Sequence, residues 1–278
     1  IMSEKFGISQ PDTDVRALLI NPAKWAESLA FIDTIVERDT STPLLPAFHM
    51  YMVLNDTYKA FAFKGGKRVV AHNTHYAISL DHIENGQASE AFCGKLRCNS
   101  KGTEFAIYDD SNDPYGLKTG KPRRELGIIS YKKKLMGPLQ LEVVMPRVRK
   151  DGACAQFRPS QPEESMIQLY KAGRIEHMFI LRGSANVAPG GMVDLWINSQ
   201  NRDGGQCVFQ AYKSPDGHWC VRYMHPLSCF QAFNICISIF HNPTTAGLDA
   251  LPAGELGGGG GGGGGSKQPR LAGELAQA

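Results

Sequence analysis

The residues with chemistry to offer in this 278-residue chain are basic. Lys64, Lys67 and Arg68 fall in the run Lys64-Gly65-Gly66-Lys67-Arg68. The glycines predict a turn in which backbone and side chains approach an anion closely. Arg97, one strand pair later, offers a planar fork suited to a phosphate. A few converging cations of this kind could capture a multiply charged phosphate, whereas the plain alternative is a solvated turn. Lys121, Arg123, Arg124 and Lys132–Lys134 form a second basic group. It reads as a solvated loop or a charged edge, with an anionic membrane or nucleic acid as its functional alternative.

Other constellations lead to less. Cys93 and Cys98 with His72 and His75 have no second matched pair, so no metal centre is expected. Asp109, Asp110, Asn112 and Asp113 lack the glycine and the terminal glutamate of a calcium loop and read as a polar turn. No nucleophile and base pairing, paired carboxylates, phosphate loop or dinucleotide motif has a supporting context, so the chain is expected to be non-enzymatic and to carry no cofactor.

The elements that must hold these residues are mostly strands. Segments such as His49–Leu54, Lys59–Phe63, Val69-Val70, Tyr76–Leu80, Phe105–Tyr108, Gly127–Tyr131, Leu139–Met145, Ala155–Phe157, His177–Leu181, Val193–Ile197, Cys207–Tyr212 and Trp219–Tyr223 are apolar and separated by turn residues. Phe31–Arg38 reads as a strand, while Asn21–Ala30 could give a short helix. Pro226–Asn242 is apolar on every side of a helical wheel, is too short to cross a bilayer and has Pro226 and Pro243 at its ends. A helix of that kind needs a protein wrapper, and many short strands supply one as a closed barrel. Residues 1–17 read as a flexible leader, 18–245 as the barrel domain and 246–278, with its polyglycine, as a disordered tail.

Net charge is only +3, so attraction to phosphate must come from a local cluster. The seven cysteines show no metal-type repeat and predict free thiols in a reducing compartment. With no signal segment or membrane span in view, a cytosolic or nucleocytoplasmic location is expected.

Several ordered motifs carry a resemblance. Phe92–Tyr108, FCGKLRCNSKGTEFAIY, followed by Asp109, resembles the signature segment of the tubby-like C-terminal domain. Phe48–Ser79 resembles the strands and basic loop before it, Arg123–Tyr131 and Gly137–Pro146 two later segments, and Val221–Phe240 the terminal helix. The resemblance spans Leu18 to Asn242. Gly183–Ile197 departs from the family's fingerprint, and Leu139 stands where the family has arginine. The resemblance implies a closed antiparallel barrel of about twelve strands around one central hydrophobic C-terminal helix. It also implies a monomeric module binding phosphatidylinositol 4,5-bisphosphate at the cytoplasmic face of the plasma membrane, through Lys64, Lys67, Arg68, Lys95 and Arg97. Such a module would tether protein cargo, with ciliary membrane-protein trafficking as one use. The alternatives are a DNA-binding, transcription-modulating protein, against which the low net charge counts, and a degenerate barrel kept as a protein-interaction scaffold.

Overall fold

The computed structural model describes residues 14–22, 30–42, 44–55, 57–70, 73–82, 89–111, 113–118, 122–133, 138–149, 153–186, 191–197 and 205–245. Twelve strands run in order around a closed antiparallel barrel, each beside its neighbour in sequence and the last beside the first. They are β1 (Ile32–Asp39), β2 (Ala47–Asn55), β3 (Tyr58–Val70), β4 (Asn73–Ser79), β5 (Phe92–Cys98), β6 (Glu104–Tyr108), β7 (Glu125–Lys132), β8 (Leu139–Pro146), β9 (Met178–Ala185), β10 (Met192–Ile197), β11 (Gln206–Lys213) and β12 (Trp219–Tyr223). The alternation of side chains along a strand sets which residues face in. In β12, Trp219, Val221 and Tyr223 are buried while Cys220 and Arg222 are half-exposed.

A barrel of twelve strands has an interior wider than strand side chains fill, and a helix occupies it. Helix α3 spans Cys229–His241, and every residue from Cys229 to Phe240 is buried. Phe63 stacks on Phe233 at 5.9 Å and Phe48 on Phe240 at 5.0 Å between ring centroids. Its polar side chains donate inside the barrel, although the Oδ1 of Asn234 is buried with no donor among the described residues. Gln231 donates to the Leu126 carbonyl at 2.8 Å, Asn234 to the Phe230 carbonyl at 2.7 Å and Ser238 to the Ile235 carbonyl at 2.6 Å. The helix starts later than the sequence suggests. Ser228 caps it in a capping box with Gln231, and Pro226, which follows a cis bond from His225, lies before the cap instead of in the first turn.

The turns joining β1 to β2, β3 to β4 and β5 to β6 lie at one barrel end, together with the C-terminus of α3, where Asn242 donates to the Gly102 carbonyl at 2.8 Å. The opposite end receives helix α1 (Val15–Ile20), whose Leu19 joins the core. Arg16 anchors it, donating to the carbonyls of Glu90 at 3.0 Å and Phe92 at 2.7 Å and pairing with Asp110 at 2.5 Å. Helix α1 thus spans position 18, where the sequence predicts that the leader gives way to the domain. Helix α2 (Met166–Lys171) lies outside the barrel over Ile128 and Val144 of β7 and β8.

Three further readings need correction. Ala155–Phe157 is no strand; the pairing there amounts to isolated bridges between Val148 and Cys154 and between Glu125 and Phe157. Val69-Val70 is the end of β3 and not a strand of its own. Lys64–Arg68 is not a turn, because the glycines sit within β3. The physical reason is the helix: a Cβ on Gly65 would lie 2.7 Å from Ile237 Cδ1 and 3.3 Å from Phe233 Cε1. Bare backbone there lets α3 approach the wall. Residues 246–278, and most of the alternative helix at 21–30, lie outside the described residues.

Candidate functional site

Strand β5 alternates between the two faces. Leu96 and Cys98 join the core, which turns Lys95 and Arg97 outward. Registers carry that face sideways. Arg97 pairs with His75 on β4, and His75 pairs with Arg68 on β3. One row along, Lys95 lies between Ala77 on β4 and Tyr108 on β6, and Ala77 pairs with Gly66. The small residues leave the floor beside Lys95 clear.

Arg123 completes the face from the long connection between β6 and β7. Its backbone N–H donates to the Asp113 carbonyl at 2.8 Å, and its guanidinium lies 3.8 Å from the Tyr108 ring centroid. Arg123 is 6 % exposed and Lys95 8 %, low values for charged side chains. The Nε of Arg123 is buried with no hydrogen-bond acceptor among the described residues.

The cations repel one another. Burial, then the charges of Arg123 and Arg97, push the Lys95 ammonium down to about 8, against a smaller opposing pull from Asp109. Burial first, then Lys95, Arg97 and Arg68, lower His75 below the usual histidine range. The nearby acids are committed elsewhere. Asp109 accepts from the backbone N–H groups of Ser111 and Arg124 and lies 3.6 Å from Arg158. Glu125 accepts from the Met166 N–H at 2.5 Å. The face is therefore rich in positive charge held by rigid strands, an arrangement able to bind a multiply charged anion.

Of the residues singled out from the sequence, Arg68, Lys95 and Arg97 come together here. Lys64 and Lys67 do not join them. Lys64 donates to the His82 carbonyl at 2.6 Å, further along β3. Lys67 pairs with Tyr76, whose hydroxyl meets His241 Nδ1 at 2.9 Å, so Lys67 belongs to the inward row at the barrel rim. His75 and Arg123 are the additions. The alternation of inward Tyr76 with its neighbour could have placed His75, but Arg123 is returned to the face by a connection that sequence periodicity does not describe.

The remaining constellations separate. Cys93 and Cys98 belong to the interior while His75 faces outward, and His72 lies outside the described residues. Asp113 accepts from the Lys118 N–H at 2.8 Å within a turn. In the second basic group, Lys132 pairs with Glu142 and Arg124 lies 4.0 Å from Asp109, while Lys121 and Lys134 lie outside the described residues.

The GKLR-bearing strand and its neighbours fall within a matched family model, the Tub family, over residues 23–189. The chain belongs to the Tub family. All five residues of the cationic face lie in the matched segment, whereas β10 to β12 and α3 complete the Tub barrel beyond it. Similar proteins include Tubby-related protein 3 of Mus musculus, 26 % identical over 71 % of this chain and 48 % of that protein. Protein king tubby of Drosophila pseudoobscura pseudoobscura is 24 % identical over 71 % of this chain and 47 % of that protein. Tubby-related protein 2 of Homo sapiens is 23 % identical over 83 % of this chain and 48 % of that protein. This Tub-family chain spans about half the length of these relatives.

Proposed function

We propose that this Tub-family barrel is a lipid-headgroup module that captures phosphatidylinositol 4,5-bisphosphate on its outer face and so tethers the protein, with any cargo, to the cytoplasmic face of a membrane. The observation that carries this reading is the convergence of Arg68, Lys95 and Arg97 around His75 with Arg123 beside Lys95, Lys95 and Arg123 being nearly buried and mutually repelled. Buried like charges are costly to hold together, and a polyanion relieves that cost. The guanidinium forks of Arg97 and Arg123 suit paired phosphate oxygens, and Lys95 contributes a compact point charge between them.

Liposome co-sedimentation tests the site. Binding should require phosphatidylinositol 4,5-bisphosphate and fall sharply in Lys95→Ala/Arg97→Ala, with Lys64→Ala close to wild type. Undiminished binding by the double variant would sink the assignment.

A further inference from the structure

Resting on the headgroup function proposed above, we infer that the Leu44-Leu45 tip of the β1 to β2 turn, with Val69 at the end of β3, enters the acyl boundary of an anionic bilayer and fixes how the barrel stands on it. Leu44 is 83 % exposed, Leu45 44 % and Val69 55 %. A single exposed leucine is ordinary on a protein surface. These three are brought together by the ladder. Ala47 pairs with Gly66, and the Lys67 N–H donates to the Pro46 carbonyl at 3.2 Å, so the pairing runs past the start of β2 and sets Leu45 alongside Lys67–Val69. The Leu45 N–H donates to the Thr42 carbonyl at 3.0 Å, which turns the chain back at Leu44.

On this barrel end, positive charge adjoins the tip on one side. Arg68 begins the outward row that leads through His75 to Arg97, and Lys101 and Lys133 are exposed near other turns of that end. Acids lie at this end too, and of these Glu104 is neutralised by a cation. Asp39 accepts from the Ser41 N–H at 2.8 Å, Glu104 pairs with Lys171 at 2.8 Å, and Asp216 accepts from the Ser214 hydroxyl. Apolar side chains beside the start of a cationic row match the layered chemistry of an anionic membrane surface, with phosphates outside and hydrocarbon just beneath. The headgroup site on the barrel wall and the apolar tip at the barrel end would then engage one bilayer at two depths.

The test variant is Leu44→Ser/Leu45→Ser, checked for a wild-type melting curve. Affinity is measured for soluble inositol 1,4,5-trisphosphate by calorimetry and for phosphatidylcholine and phosphatidylserine vesicles containing phosphatidylinositol 4,5-bisphosphate by co-sedimentation. Headgroup affinity should be unchanged while vesicle affinity falls by roughly tenfold or more, the scale of losing two buried leucines. The added indole of Leu44→Trp, read as the difference from wild type, should be quenched by lipids brominated high on the acyl chain. Equal vesicle binding by the serine variant, or an unquenched indole on bound vesicles, overturns the insertion and leaves the headgroup site standing. Lost headgroup affinity in the serine variant also overturns it, because the loop would then act on the site. Wild-type protein that binds neither headgroup nor vesicle overturns both.

Discussion

The guanidinium of Arg123 lies 3.8 Å from the centroid of the Tyr108 ring, so one wall of the cationic face is fixed by an aromatic surface. Ring and cation attract through the ring's quadrupole, and more strongly where water is scarce. Tyr108→Leu should release Arg123 and lower affinity for the phosphoinositide headgroup by roughly three- to tenfold, while Tyr108→Phe should retain it. Calorimetric titration with the soluble headgroup distinguishes the two, and equal losses in both variants would show that the hydroxyl, not the ring, matters.

Lys95 is held charged at a cost. Its folded value, pushed down to about 8, lies below the ordinary 10.5. The cost to the folded state is full below about pH 8 and disappears once both folded and unfolded forms are neutral above 10.5. Lys95→Met should therefore stabilise the fold at pH 7 by about 1–3 kcal/mol, seen as a rise of a few degrees in Tm, while weakening headgroup binding. A lower Tm in that variant would contradict the strained-site reading. For the same reason wild-type affinity for the headgroup should weaken as pH rises through about 8, with proton uptake on binding visible in buffers of different ionisation enthalpy.

His49, His75 and His241 are each lowered from 6.5, chiefly by burial. As pH falls through about 6.5 the unfolded chain takes up protons before the folded chain does, so acidification destabilises the barrel. Thermal melts between pH 7 and 5.5 should show a falling Tm, and His75→Asn should flatten that fall. A flat profile in wild type would remove the basis for it.

Gly94, immediately before Lys95, has φ 152°, and a Cβ there would lie 2.2 Å from the Tyr108 carbonyl oxygen and 2.9 Å from Phe230. Backbone cannot yield as a side chain can. Gly94→Ala should destabilise the fold by about 3 kcal/mol or more, measured by chemical denaturation. Near wild-type stability would mean that β5 and β6 separate there more easily than their pairing suggests.

Much of the fold was legible in the sequence because its strongest signal was local. A helix without a polar face can exist only inside something, and short apolar runs with turn residues between them supply the wrapper. The errors arose where one residue type serves two purposes. Gly65-Gly66 has the chemistry of a turn, yet in β3 it admits Ile237 and Phe233. That misreading also cost the parity of the strand. Within a strand, adjacent residues face opposite sides, so Lys67 turns to the rim with Tyr76 while Arg68 turns out to His75. Arg123 was legible as a cation but not as a member of this face, because the connection from Asp109 to Arg124 that returns it follows no period.

The enclosure of α3 has a consequence for synthesis. The strands from Ile32 to Tyr223 all precede the Cys229–His241 helix in the chain. As they leave the ribosome they have a wall to build and nothing yet to build it around. Their apolar inward rows must wait, exposed or shielded by chaperones, until the helix that follows them in the chain gives them an interior to close upon.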